Sequence, residues 1–335
     1  GDFLKWRSDI GKPAPDAFMH YTTQIAERDP EPAEFSRPYF LADRARQIID
    51  DFQSNYDPFF LRLDFHGPHF PNVVPEPYFS MYDPNAIPPW PNHLDDLHGK
   101  PAVQRIKQRH WRTEGLQWKD WAPLVSGYFG EITLIDAAIG SVLGHIDQRG
   151  LTDETLVIFT SDHGDTSGAH GICNKDYTMY EEIYRIPLIV RWPAVVRPGS
   201  SENAFVHHLL DIFSTLTYLA GEKPQAPCHG RSLIPILSGS EEPDDWPQSA
   251  FCEFHGSHMG LYSMRLLTTE KFAYVYHNND IDELYDRTAD PWQLTNVASD
   301  PNYASILSRL KREIIQWMAN TGDHLHNEWT VDWLS

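Results

Sequence analysis

The chain has 335 residues, 41% of them apolar, enough for one large or two moderate domains with a sizeable core. Its 47 acidic residues outnumber 27 basic ones, and the resulting net charge of −20 argues against nucleic acid and anionic membrane surfaces as partners. Three cysteines, Cys173, Cys228 and Cys252, make no closed disulfide framework and match no zinc spacing, and no uninterrupted apolar run reaches the ~20 residues that span a bilayer.

Residues 1–35 are polar and proline-bearing with little periodicity, and read as a connecting segment. Residues 36–53 predict a helix, because Phe40, Leu41, Ala45, Ile48, Ile49 and Phe52 recur at helical spacing. Residues 59–64, FFLRLD, predict a strand that empties into the turn from Phe65 to Pro71, which carries His66 and His69. An imidazole there can contact an ester or protonate its leaving oxygen, since it titrates near neutral pH; a histidine satisfied by backbone in a proline-rich turn is the alternative. Residues 71–125 read as a long irregular stretch whose rings, Trp90, Trp111, Trp118 and Trp121 among them, either line a pocket or pack on the sheet. Residues 127–148 predict a helix with Ile132, Ile135, Ile139, Val142, Leu143 and Ile146 on one stripe.

The densest chemistry follows. Residues 156–159 predict a strand buried on both faces, which breaks at once into Ser161, Asp162, His163, Gly164 and Asp165. Neighbours on a regular strand point to opposite faces, so Asp162 and His163 converge only in a turn, for which Gly164 supplies the flexibility. An acid beside an imidazole at the carboxyl end of a strand points to metal ligation, although the same residues also make an ordinary polar turn. Lys175 follows in a loop of small residues, then TMYEE as a helix start and a second apolar strand, residues 187–192. Downstream, residues 208–220 predict a helix closed by Gly221, with His207 and His208 read as structural because nothing acidic is spaced to join them. An acidic linker at 240–247 precedes short strands at 249–254, 261–268 and 271–276, a hairpin turn at 268–271, and a last helix over 303–318.

The segments SDHGD, GAHGICNKDYTMYEE and RIPLIVRWP, with FHGPHFP at 65–71, HGRSLIPILSG at 229–239 and DELYDRTADPWQLTNVASDP at 282–301, resemble the sulfatase family of the alkaline phosphatase superfamily. The resemblance implies an α/β fold, an alkaline-phosphatase-like mixed sheet sandwiched by helices, with a small C-terminal antiparallel sheet plus helix. It divides the chain into a catalytic part, 1–240, and a C-terminal α+β subdomain, 241–335. It implies Asp162 and His163 as metal ligands, Lys175 as a contact to a sulfate oxygen, and His69, in preference to His66, as the group that binds the ester or protonates the leaving alcohol. His170 and Asp165 stand as candidates for the polar groups behind the ligands. Oxygen and imidazole donors suit a hard divalent cation, calcium first, with magnesium or manganese as alternatives.

The chain departs from the family at its start. No Cys-x-Pro-Ser-Arg segment is present, so the resemblance implies that the formylglycine nucleophile and the remaining metal ligands lie in an N-terminal segment or companion chain outside these residues. The expected activity is hydrolysis of a small-molecule or saccharide sulfate ester. A phosphonate monoester or phosphodiester hydrolase is the alternative within the superfamily, and a non-catalytic fragment or binding module the alternative outside it. The compartment is left open.

Overall fold

A computed structural model describes residues 2–12, 26–55, 57–223, 228–239 and 245–335. In chain order they form α1 (Asp2–Asp9), β1 (Ala26–Asp29), α2 (Arg37–Asn55), β2 (Asn72–Pro75), α3 (Ala102–Trp111), α4 (Trp118–Gln148), β3 (Val157–Thr160), α5 (Glu181–Tyr184), β4 (Leu188–Arg191), α6 (His208–Leu219) and α7 (Ile234–Leu237). Strands β5 (Ser249–Phe254), β6 (Met264–Thr269), β7 (Phe272–His277) and β8 (Glu283–Asp286) follow, then α8 (Ala304–Thr321) and α9 (Glu328–Leu334). The architecture is α/β, with one parallel strand pair, one antiparallel pair and a four-stranded antiparallel sheet. Two compact units emerge, one of residues 1–90 and 116–155, the other of residues 91–115 and 156–335.

In the first unit α2 buries Phe40, Ala42, Ala45 and Ile49, while α4 buries Trp121, Val125, Leu134, Ala138, Val142 and Ile146. The three- and four-residue spacing of both sets makes two apolar stripes, and the helices pack together along them. Helix α4 is long and apolar enough by composition to cross a membrane. Its buried stripe and the exposed Asp136 are what a core helix of a folded unit shows. Strand β1 pairs in parallel with β2, Ala26 opposite Asn72 and Asp29 opposite Pro75. Helix α4 reaches this pair by way of glycine: a Cβ on Gly127 would lie 2.4 Å from that of Ala26, and one on Gly130 2.5 Å from the Tyr78 carbonyl. The buried Arg7 of α1 grips Asp29 with two hydrogen bonds, 2.7 and 3.1 Å long, which ties the first helix to β1.

A clamp forms where α4 meets the histidine turn. Asn72 Nδ2 donates to Pro68 O at 2.9 Å and to Glu131 Oε2 at 2.7 Å. Gly67 fits against the same carboxyl only because it lacks a side chain, since a Cβ would stand 2.2 Å from Glu131 Oε1. Part of Glu131 faces a small cavity shared with Ser36, Arg37 and His66, but protein encloses the carboxyl, and burial pushes it up to about 7 against the pull of Asn72 and Arg37.

In the second unit β5 to β8 form an antiparallel meander, and successive residues face opposite sides. Leu267, Tyr274, Tyr276 and Leu284 pack against Leu310, Ile314 and Met318 of α8. Met264, Leu266, Ala273, Val275 and Tyr285 cover the other face together with Leu97, Ile172, Met179 and Tyr180. The loop that contains Lys175 is therefore nailed into the core at both of its ends. Strands β3 and β4 pair antiparallel, Val157 opposite Arg191.

Several sequence expectations need correction. Residues 1–35 hold α1 and β1, which their mixed polar composition hides. Residues 59–64 alternate between half-buried and exposed as a strand would, but join no ladder among the described residues; β2, after the turn, takes the pairing with β1. The stretch 71–125 contains α3 and the first two turns of α4. Strand β3 is half-buried and leaves Phe159 40% exposed, since β4 is its one partner among the described residues. Within the expected linker, residues 240–244 lie outside the described residues.

Two outcomes follow. Gly130→Ala gains ~1 kcal/mol of helix propensity but drives a methyl into a backbone carbonyl, at a cost of ~1–3 kcal/mol; urea unfolding should show a net loss. For Glu131 the folded-state affinity for the proton exceeds the ordinary carboxyl value of 4.5, so its contribution to stability is full below that pH and fades as pH rises through about 7. Urea midpoints of the native chain should fall across that interval relative to those of Glu131→Gln, which has no proton to lose.

Candidate functional site

The turn after β3 is built on backbone contacts. Gly164 N–H donates to Ile183 O at 2.8 Å, and a Cβ on Gly164 would lie 1.9 Å from Glu182 O. Glycine is required there for its close approach to α5, and its backbone is not left-handed. The turn is closed further by Ser161 Oγ, which donates to His163 O at 2.7 Å, and by His163 N–H, which donates to Asp162 Oδ1 at 3.0 Å.

This geometry brings the two predicted metal ligands together. His163 Nδ1 lies 2.8 Å from Gly164 O, and because a carbonyl can only accept, Nδ1 carries the proton. With Nδ1 so committed, Nε2 is the nitrogen available to a cation, and that atom sits 3.6 Å from Asp162 Oδ2. The separation is too long for a hydrogen bond, and close to that of two atoms each ~2.1–2.4 Å from one cation. Asp162 is exposed and His163 half-buried, so both donor atoms are reachable from solvent. Fixing the tautomer of a ligating histidine through a backbone carbonyl is the usual arrangement behind a metal. The pair fits a cation as part of a shell, and among the described residues no third His, Cys, Asp or Glu completes a group of three.

Lys175 lies in the same unit and is half-buried, its backbone N–H held by Asn174 Oδ1 at 2.8 Å. Asp165 connects the two parts: its Oδ1 accepts from Ser167 N, Ser167 Oγ and Asn174 N at 2.8, 3.0 and 3.3 Å. It shapes the path from the turn to the lysine. His170 is wholly buried, bonded through Nδ1 to Asp95 at 2.6 Å and stacked on Tyr180 with centroids 3.7 Å apart. It belongs to the packing under the loop, with Lys100 bonded to both Asp95 and Gln293 O.

His207 is structural as read, its Nε2 accepting from Phe251 N at 3.1 Å. The premise that nothing acidic stands near the histidine pair fails, however. Asp211 caps the backbone N–H of His207 at 2.7 Å, and Asp162 draws the proton affinity of His208 upward against the larger downward effect of burial.

His69 lies in the first unit, half-buried in the clamped turn, with its ring 5.2 Å from that of His66. Its Nδ1 lies 2.7 Å from Phe70 O and so carries a proton. Lys107 escaped the sequence reading altogether. It sits on α3, with no exposed surface, and its Nζ donates to Asn174 O at 3.1 Å, directly before Lys175.

Residues 16–222 match the family profile described as Sulfatase, and residues 168–320 match that of N-sulphoglucosamine sulphohydrolase, C-terminal. A multifunctional alkaline phosphatase superfamily protein of Trinickia caryophylli is 29% identical over 95% of this chain and 66% of its own length. An N-acetylglucosamine-6-O-sulfatase of Bacteroides thetaiotaomicron is 29% identical over 69% of this chain and 42% of its own. The chain thus spans between about two fifths and two thirds of the length of these curated relatives. Among solved structures, the phosphonate monoester hydrolase of Agrobacterium radiobacter superposes with a TM-score of 0.80 at 25% identity, over 95% of this chain and 69% of that one. The Sulfatase profile takes in more than half of the sequence, and the chain belongs to the sulfatase family.

Proposed function

We propose that this chain carries part of the active site of a metal-dependent hydrolase of sulfate esters. The observation that carries the reading is the convergence of Asp162 Oδ2 and His163 Nε2 at 3.6 Å, with the histidine tautomer already set for ligation. Asp162 and His163 would hold a hard divalent cation, calcium first, and that cation would supply Lewis-acid stabilisation of the charged ester oxygens. Lys175 supplies a compact positive charge to a non-bridging oxygen. By the family resemblance His69 would bind the ester or protonate its leaving alcohol; as the donor it would act as the imidazolium, giving up Nε2–H while Nδ1–H stays on Phe70 O and ending as the neutral ring. Two ligands are too few for a hard cation. In this reading the remaining ligands and a formylglycine nucleophile come from polypeptide outside these 335 residues, in keeping with the greater length of the curated relatives.

The sulfatase name of the matched family and of the Bacteroides relative supports the sulfate preference, with a saccharide sulfate as the substrate class. The likeness to a phosphonate monoester hydrolase at a TM-score of 0.80 favours a second reading, a phosphonate monoester or phosphodiester hydrolase on the same ligands. Competing an aryl sulfate against an aryl phosphonate monoester with the full-length protein decides between them: the higher kcat/KM names the reaction, and turnover of neither sinks both. His163→Ala should abolish stoichiometric calcium uptake measured by elemental analysis and lower kcat/KM by ~10²–10³-fold. Retention of full calcium content would dismiss the proposed ligand pair.

A further inference from the structure

Helix α3 is built inside out. Its buried face consists of Val103, Gln104 and Lys107, with Gln104 and Lys107 wholly buried, while Ile106 is 49% exposed. That polar face bonds the loop around Lys175, and Gln104 Nε2 also donates to Glu283 Oε2 of β8 at 2.9 Å. Gln108 Nε2 approaches the carbonyls of His170 and Gly171 at 3.3 and 3.4 Å, and Thr113 Oγ1, just beyond the helix, donates to Gly171 O at 2.9 Å. Lys107 Nζ donates to Asn174 O at 3.1 Å and Thr178 Oγ1 at 3.3 Å, and Gln104 Oε1 accepts from Tyr180 at 2.7 Å.

The loop needs such holding. His170, Asn174 and Tyr177 all have left-handed backbones, with φ of 56°, 65° and 61°, a conformation that persists in non-glycine residues only when the surroundings over-determine it. Asn174 O receives a second bond, from Thr166 Oγ1 at 3.1 Å, so the carbonyl that directly precedes Lys175 is pinned from two sides. A lysine is a costly group to bury for packing alone.

Resting on the reading of Lys175 as the contact to an anionic ester, we infer that Lys107 is a positioning residue for it: Lys107 fixes the Asn174 carbonyl from beneath, sets the direction in which Lys175 leaves the loop, and adds a second positive charge behind it. The titratable groups that face Lys107 are Cys173, Asp165 and Asp176, which favour its charged form, and Lys175, which opposes it. Burial outweighs them and lowers its proton affinity to about 8, so the charge is present at neutral pH and lost just above.

The test uses the full-length protein with inorganic sulfate as the probe, titrated calorimetrically in calcium chloride, for the native sequence, Lys107→Met, Lys175→Met and Thr166→Val. Lys107→Met should weaken sulfate binding ~10-fold at pH 7 and remove the decline in affinity that the native chain shows as pH rises through about 8. Thr166→Val should weaken it less, and its effect should not add to that of Lys107→Met, because both act on one carbonyl. Native affinity and pH profile in Lys107→Met, with Lys175→Met impaired, overturns the inference alone. Native affinity in Lys175→Met overturns the reading of Lys175 itself, and no sulfate binding by the unaltered chain overturns both. Should Lys107→Met fail to fold, unchanged affinity in Thr166→Val rejects the role assigned to the pinned carbonyl.

Discussion

The candidate site in the second unit depends on one backbone contact. Gly164 sits so close to α5 that its N–H bonds the Ile183 carbonyl and no side chain could fit beneath Glu182 O. That contact turns the chain out of β3 within three residues, and it is the turn that lets neighbouring side chains, Asp162 and His163, address a single point. Gly164 O then fixes the proton on His163 Nδ1. Position, tautomer and direction of the imidazole are thus all set by backbone atoms, which do not titrate and cannot swing away.

The Lys175 loop is held by a different principle. Its ends are apolar plugs, Ile172 on one side and Met179 with Tyr180 on the other, sunk into the sheet face opposite α8. Its middle is polar and is moulded by side chains: Asp165 and Thr166 from the turn, Lys107 and Gln108 from α3. Hydrophobic burial anchors the segment but cannot choose among conformations of its backbone. Directional bonds to buried carbonyls can, because leaving any one of them unmade would strand a polar atom in the interior.

Much of this was legible in the sequence where burial follows periodicity. Helices α2, α4 and α8, strands β5 to β7 and the convergence of Asp162 with His163 follow from apolar spacing or from a turn after an apolar run. Helix α3 was not legible, since Gln104 and Lys107 occupy the inward positions that a pattern reader reserves for leucine. Strand β8 was hidden in a motif read for its family likeness, and α1 and β1 in a polar stretch whose buried members include Arg7 and Asp29. Glu131 was not singled out either. Its partner, Asn72, is 59 residues away, and no local pattern reports such a distance.

The β3–β4 ribbon has one more property. Among the described residues it is two strands wide, and it presents Phe159 at 40% and Ile189 at 62% exposure. Two-stranded ribbons are marginal in water, and strands whose outer backbone groups point into solvent are templates for foreign strands. An exposed edge of this kind is where a foreign strand could add to the isolated polypeptide, and a polar replacement at Ile189 would take apolar surface away from it.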